Sequence, residues 1–258
     1  MKNLGPALRP LLLAVIIVVA WQLATSVFGL PTYLVPEPLK VLKELVAQWP
    51  RLLSESAVTT AAALGGFGLS VVFGLLLAVL IVYSKTIESY LYPLLVFSQS
   101  VPKIAVAPLF VVWFGFGIFP KVVSAFLLAV FPVVVSTVTG LKSVEPEMID
   151  LARSSRAGRL RTFWYVLLPH SLPHIFSGMK VAITLAVVGA VVGEFVGANS
   201  GIGYLLQVAN GNFDLPLMFA ALVVLSSIGV LLFALIDLAE RLMVPWHASQ
   251  RPDYTATA

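Results

Sequence analysis

A chain of 258 residues that is 59% hydrophobic and only 11% charged carries less than half the charge of an ordinary soluble domain, about 25%, which excludes a water-soluble globule. The net charge of +4 is too small to specify nucleic-acid binding. The absence of cysteine excludes disulfides, iron–sulfur clusters and zinc–thiolate sites.

The first element follows Lys2 and Arg9 and reads PLLLAVIIVVAWQLATSVFGL. A basic stretch before an apolar one also describes a secretory signal. Here the apolar run continues for about twenty residues, enough to cross a bilayer, and we read 1–30 as a retained N-terminal helix. The next segment, PTYLVPEPLKVLKELVAQWPRLLSES, repeats Leu39, Leu42, Val46 and Trp49 at helical spacing. That pattern predicts a short helix lying at the membrane interface.

Further apolar stretches at 57–82, 89–113, 120–140, 172–197 and 216–240 are each long enough to span. With the first, they predict six transmembrane helices, with core helices over 57–240. Helices are required because backbone amides in lipid must be satisfied within the segment, and no stretch alternates as a barrel strand does. Gly65, Gly66, Gly68 and Gly74 would let the second span pack closely. Pro102 and Pro108 bracket Lys103 in the third span and predict a kink there.

With the N-terminus inside, Lys2, Arg9, Lys85, Lys142, Arg153, Arg156, Arg159, Arg161, Arg241 and Arg251 lie in inner segments. Only Lys40, Lys43, Arg51 and Lys121 lie in outer ones, with Lys103 and Lys180 inside spans. This asymmetry places both termini in the cytoplasm. It also places there the 141–171 loop, the only sizeable hydrophilic inner segment.

That loop contains DLARSSRAGRLRTFWYVLLPHSLPH over 150–174. Setting topology or binding anionic lipid would account for its arginines alone. The order of the other residues asks for more. Leu160, Phe163, Trp164 and Leu167 draw an apolar stripe, Glu147 and Asp150 suit the start of a helix near Pro146, and Pro169 and Pro173 should break or kink the chain before the fifth span. The loop is thus predicted to be one or two short helices held against the spans and suited to docking a protein.

Here the residues resemble a known family. Permeases of bacterial ABC importers carry a cytoplasmic loop of pattern E-A-A-x3-G-x9-I-x-L-P. Asp150, Leu151, Ala152, Arg156, Val166, Leu168 and Pro169 fall in its register. Arg156 replaces the glycine of the bend between two helices, and Gly158 is expected to supply the bend instead. The segments VPKIAVAPLFVVWFGFG, LPHSLPHIFSGMKVAITLAVVGAVVGEFVGANSGIGYLL and PLMFAALVVLSSIGVLLFALIDLAERLMVPW resemble nitrate/sulfonate/taurine-type permeases, a group that also serves thiamine pyrimidines and riboflavin.

The resemblance implies an all-α polytopic membrane protein with a MetI-like type I importer fold, one permease domain over 1–258, in the bacterial inner membrane. It implies a second permease copy, taken as a homodimer, a cytoplasmic ABC ATPase dimer that binds ATP and Mg, an extracytoplasmic binding protein and surrounding lipid. No cofactor and no enzyme activity are expected in the chain itself. Its nearest approach to a P-loop, TGLKS at 139–143, lacks the Gly-Lys-Ser/Thr order. Asp150, Ala152, Arg153, Arg156, Gly158, Arg159, Phe163, Leu168 and Pro169 would form the ATPase-coupling loop.

Lys103 and Glu194 are the charges set deepest in spans, where each costs about 2.5–3.5 kcal/mol on insertion scales. They either line or gate a substrate path, or form a structural pair, with each other or with another group. His170 and His174 have a metal-ligand spacing but no following Glu and no third ligand, so no metal site is read there. Between the last two spans, Ile202–Ala209 is predicted as a re-entrant or interfacial helix on the outer face. An ion-driven secondary transporter would require inverted repeats and more mid-membrane polar groups, and an intramembrane enzyme would require a catalytic constellation. The sequence offers only Lys103 and Glu194 at mid-membrane, no repeat and no catalytic constellation, so the ATP-driven importer is the first reading and the ion-gradient-driven secondary transporter the alternative.

Overall fold

The computed structural model describes residues 8–246 except 30 and 33, with side chains from residue 12 onward. Lys2 and Arg251, counted in the charge asymmetry, lie outside that range. Eleven helices are described and, among the described residues, no strand: α1 Leu8–Val27, α2 Pro38–Ala47, α3 Trp49–Tyr83, α4 Lys85–Ser100, α5 Lys103–Phe114, α6 Ile118–Lys142, α7 Pro146–Ser154, α8 Arg159–Thr162, α9 Leu168–Phe195, α10 Ile202–Gly211 and α11 Leu215–Met243.

Four helical stretches are long and apolar enough to cross a membrane: α3, α6, the 37-residue run from α8 through α9, and α11. The chain is an all-α polytopic membrane protein. The expected third span is not one straight helix, because α4 and α5 meet at 96°. Pro102 sets this break by holding Val101 in an extended conformation, ψ 124°, since the ring of a proline crowds a helical residue before it. Counting the bent pair as one span gives five, and α1 adds a 20-residue apolar helix.

The short helix expected in this segment forms as α2, but the stripe that predicted it faces outward. Leu39, Leu42 and Val46 are exposed, whereas Val41 is buried against α10 and α11. Trp49 belongs to the first turn of α3, not to α2. At the start of α2 the Lys40 ammonium, 2.8 Å from Glu37, holds the Glu37 carboxyl below its ordinary range.

The core is α6 laid between α3 and α9. Gly66 of α3 and Gly189 of α9 reach Ala125 of α6 from different sides, and a Cβ on Gly189 would stand 2.6 Å from the Ala125 Cα and the Ser124 carbonyl. Small residues bring backbones together where lipid supplies no hydrophobic drive for helix association. Gly68 takes no part in this packing, for a Cβ there meets nothing within 4 Å among the described residues.

Candidate functional site

At one end of the bundle α6 hands over to the arginine loop through buried Val144. Helix α7 begins at Pro146, with Glu147 in its first turn and Arg153 in its last, as the helix dipole favours. Its end is a Schellman turn: Arg156 N–H donates to the Arg153 carbonyl at 2.9 Å and Ala157 N–H to the Ala152 carbonyl at 3.0 Å. Arg156 itself takes the left-handed conformation, φ 56°. Gly158 does not supply the bend. It sits extended at φ −68°, ψ 162°, as the N-cap of α8.

The two prolines do not break the chain. Phe163–Leu167 forms a π-helical turn and passes directly into α9. Pro169 has no amide hydrogen and its ring crowds the Tyr165 carbonyl, and the helix is widened just before it. Arg159–Phe195 is therefore one helix of 37 residues, about 55 Å long at 1.5 Å per residue.

The loop is only half packed against the spans. Phe163 lies against Tyr83 of α3, ring centroids 6.2 Å apart. A cavity of about 420 Å³ lies between Val82 and Tyr83 on one side and Ile149, Arg153, Arg159 and Leu167 on the other. The expected stripe does not bury as a whole: Leu160 is 73% exposed and Trp164 57%, beside Tyr165 at 80%. Arg153, Arg156, Arg159 and Arg161 are exposed as well, and Arg153 meets Asp150 only in a solvent-facing pair at 3.3 Å. The result is an open surface of guanidiniums and large apolar side chains.

At the opposite end Glu194 is fully buried. Its carboxylate accepts from the Thr59 hydroxyl at 2.9 Å and from Gly203 N–H at 2.7 Å, and the Lys121 ammonium stands 4.0 Å away. Lys121 also donates to the Ser200 carbonyl at 2.7 Å. Glu194 and Lys103 do not pair. Lys103 lies at the α4–α5 break and donates to Gln99 at 3.2 Å.

Sequence reading missed Lys121 as a partner by placing it in an outer segment. Helix α6 starts at Ile118, and Lys121 is 2% exposed. It also passed over Glu55 and Thr59, whose i, i+4 spacing was the available signal. A third charged group joins α9 to α11: Lys180 pairs with Asp237 and with Glu240, and Arg241 pairs with Asp237 at 2.8 Å. Another pair, Glu88–Lys142 at 2.5 Å, ties the start of α4 to the end of α6. His170 and His174 lie one turn apart on α9, and the buried Nδ1 of His174 has no hydrogen-bond partner among the described residues.

Residues 70–245 match the family model for the binding-protein-dependent transport system inner membrane component. The chain is 38% identical over 251 residues to the formylaminopyrimidine transport permease protein ThiX of Halalkalibacterium halodurans, covering 97% of this chain and 100% of that one. It is 38% identical to the riboflavin transport system permease protein RibX of Chloroflexus aurantiacus, covering 95% and 92%. It is 30% identical to the taurine transport system permease protein TauC of Escherichia coli, covering 91% and 88%. In fold it is similar to a chain of the MetNI methionine ABC transporter, TM-score 0.65 at 20% identity, over 76% of this chain and 98% of that one. With its apolar helices and its arginine-bearing loop, the chain belongs to the inner-membrane permease components of binding-protein-dependent ABC importers.

Proposed function

We propose that residues 146–169 are the surface on which a cytoplasmic ABC ATPase dimer docks, and that the 37-residue helix from Arg159 carries its motion into the membrane. The single observation supporting this is the exposed run of four arginines, Arg153 and Arg156 on α7 and its closing turn and Arg159 and Arg161 at the start of that helix, beside exposed Leu160, Trp164 and Tyr165. Docked protein surfaces favour arginine and large aromatics as anchors. ATP and Mg are held by the partner, and this chain acts as a transport subunit with no nucleotide site of its own.

In this reading residues 1–258 form one permease domain, two copies pair to enclose the path, and both termini lie in the cytoplasm. An extracytoplasmic binding protein delivers solute at the α10 end. Two of the relatives at 38% identity are named for a pyrimidine and for riboflavin, which favours a small heterocycle of the vitamin-precursor class over a sulfonate. Lys103, with no carboxylate partner among the described residues, is assigned to the translocation path. Glu194 is assigned to a structural junction.

The test is co-purification of the ATPase with Arg159→Glu and Trp164→Ala. Both variants should insert normally and lose the ATPase. Undiminished ATPase in both would remove the docking role from this loop.

A further inference from the structure

The N-terminus of α10 is capped entirely by other helices. Gly201 N–H donates to Glu55 Oε2 at 2.5 Å, Ile202 N–H to Thr59 Oγ1 at 2.8 Å and Gly203 N–H to Glu194 Oε2 at 2.7 Å. The first amides of a helix have no partner within it, and a local Ser, Thr, Asp or Asn ordinarily serves. Here the N-cap is Gly201, which has no side chain to offer. Its φ is +107°, and a Cβ at that position would overlap the Glu194 carboxylate. The local cap is thus replaced by two carboxylates and a hydroxyl, both anions lying where the helix dipole is positive.

These groups come from the spans. Glu55 and Thr59 stand one turn apart on α3, and Glu194 lies at the last turn of α9, with Lys121 of α6 alongside. A second tie runs from Gln207 Nε2 to the Phe195 carbonyl at 2.5 Å. Helix α10 is therefore fastened twice to the end of α9. The other end of the same unbroken helix is the arginine loop.

We infer that Glu194 is a positioning residue: it makes α10 part of the same rigid body as α9 and α3, so that displacement of the arginine loop arrives at the opposite face of the membrane as displacement of α10. This rests on the importer reading given above. Coupling between two distant sites requires an element that both ends bias, and a continuous helix clamped at its far end meets that requirement.

The chain has no cysteine, so Asn210→Cys on the exposed side of α10 gives one spin-label site per copy of this chain, and the complex without that substitution, labelled in parallel, supplies the signal of any partner cysteines to be subtracted. The complex is purified from native membranes, and label mobility is compared without nucleotide and with ATP and vanadate. The wild-type background should show a nucleotide-induced change. Glu194→Ala should lose that change while the ATPase stays bound and continues to hydrolyse ATP. Glu194→Gln, which keeps an oxygen to accept from Gly203, should restore it in part. Should Glu194→Ala fail to fold, Thr59→Val takes its place and should likewise lose the response.

If no ATPase accompanies the chain, the importer reading falls and this inference with it. If the ATPase is present and the label responds in Glu194→Ala or Thr59→Val as in the wild type, or never responds, the inference alone is overturned.

Discussion

The Ala157 amide donates to the carbonyl of Ala152 across 3.0 Å, closing the end of α7 around an arginine held at φ 56°. Left-handed backbone costs a side-chain-bearing residue about 1–2 kcal/mol. The strain sits in the loop assigned to ATPase docking, with the Arg156 guanidinium exposed.

Arg156→Gly should therefore relieve strain and lose a charge together. The turn should persist with amide exchange at 156 and 157 slowed, and stability should rise by about 1 kcal/mol. Arg156→Val, β-branched, should loosen the same amides. Hydrogen exchange in detergent reads both. If docking uses the guanidinium, the glycine variant will be more stable and bind the ATPase less.

Helix packing gives a second contrast. Gly189→Ala drives a methyl into the Ala125 backbone and should cost about 1–3 kcal/mol, as overpacking does. Gly68→Ala meets open space and should be neutral or gain up to about 1 kcal/mol from its better helix propensity. Thermal unfolding of the two purified variants measures the difference.

Lys180 separates a structural charge from a superficial one. Lys180→Met leaves Asp237 and Glu240 facing each other with their shared cation gone. Breaking a buried pair costs about 3–5 kcal/mol. The Lys180 side chain keeps 20% exposure, so about 2–3 kcal/mol is expected, with recovery when Asp237→Asn and Glu240→Gln are added. Arg241, 66% exposed, should lose under about 1 kcal/mol on Arg241→Gln.

The sequence carried the helices because lipid leaves the backbone few alternatives, and it carried the loop because its register is local. Helix α10 was legible from the glycines and asparagines around Ile202. What it could not carry were long-range pairings. Glu194 meets Thr59 across 135 positions, and nothing near either residue names the other. The α4–α5 corner was half visible: Pro102 marked a kink, but an angle of 96° depends on what packs around it. The bend expected at Gly158 is made by Arg156 instead. A Schellman turn with two backbone hydrogen bonds outweighs a penalty of about 1–2 kcal/mol.

The most direct test of the central claim is to tag the chain, solubilise native membranes in mild detergent and identify by mass spectrometry what purifies with it. A stoichiometric ATPase bearing a P-loop, with transport in liposomes that requires ATP, is the result the importer account predicts. A chain that purifies alone or only with itself, and transports on an ion gradient without ATP, would contradict it.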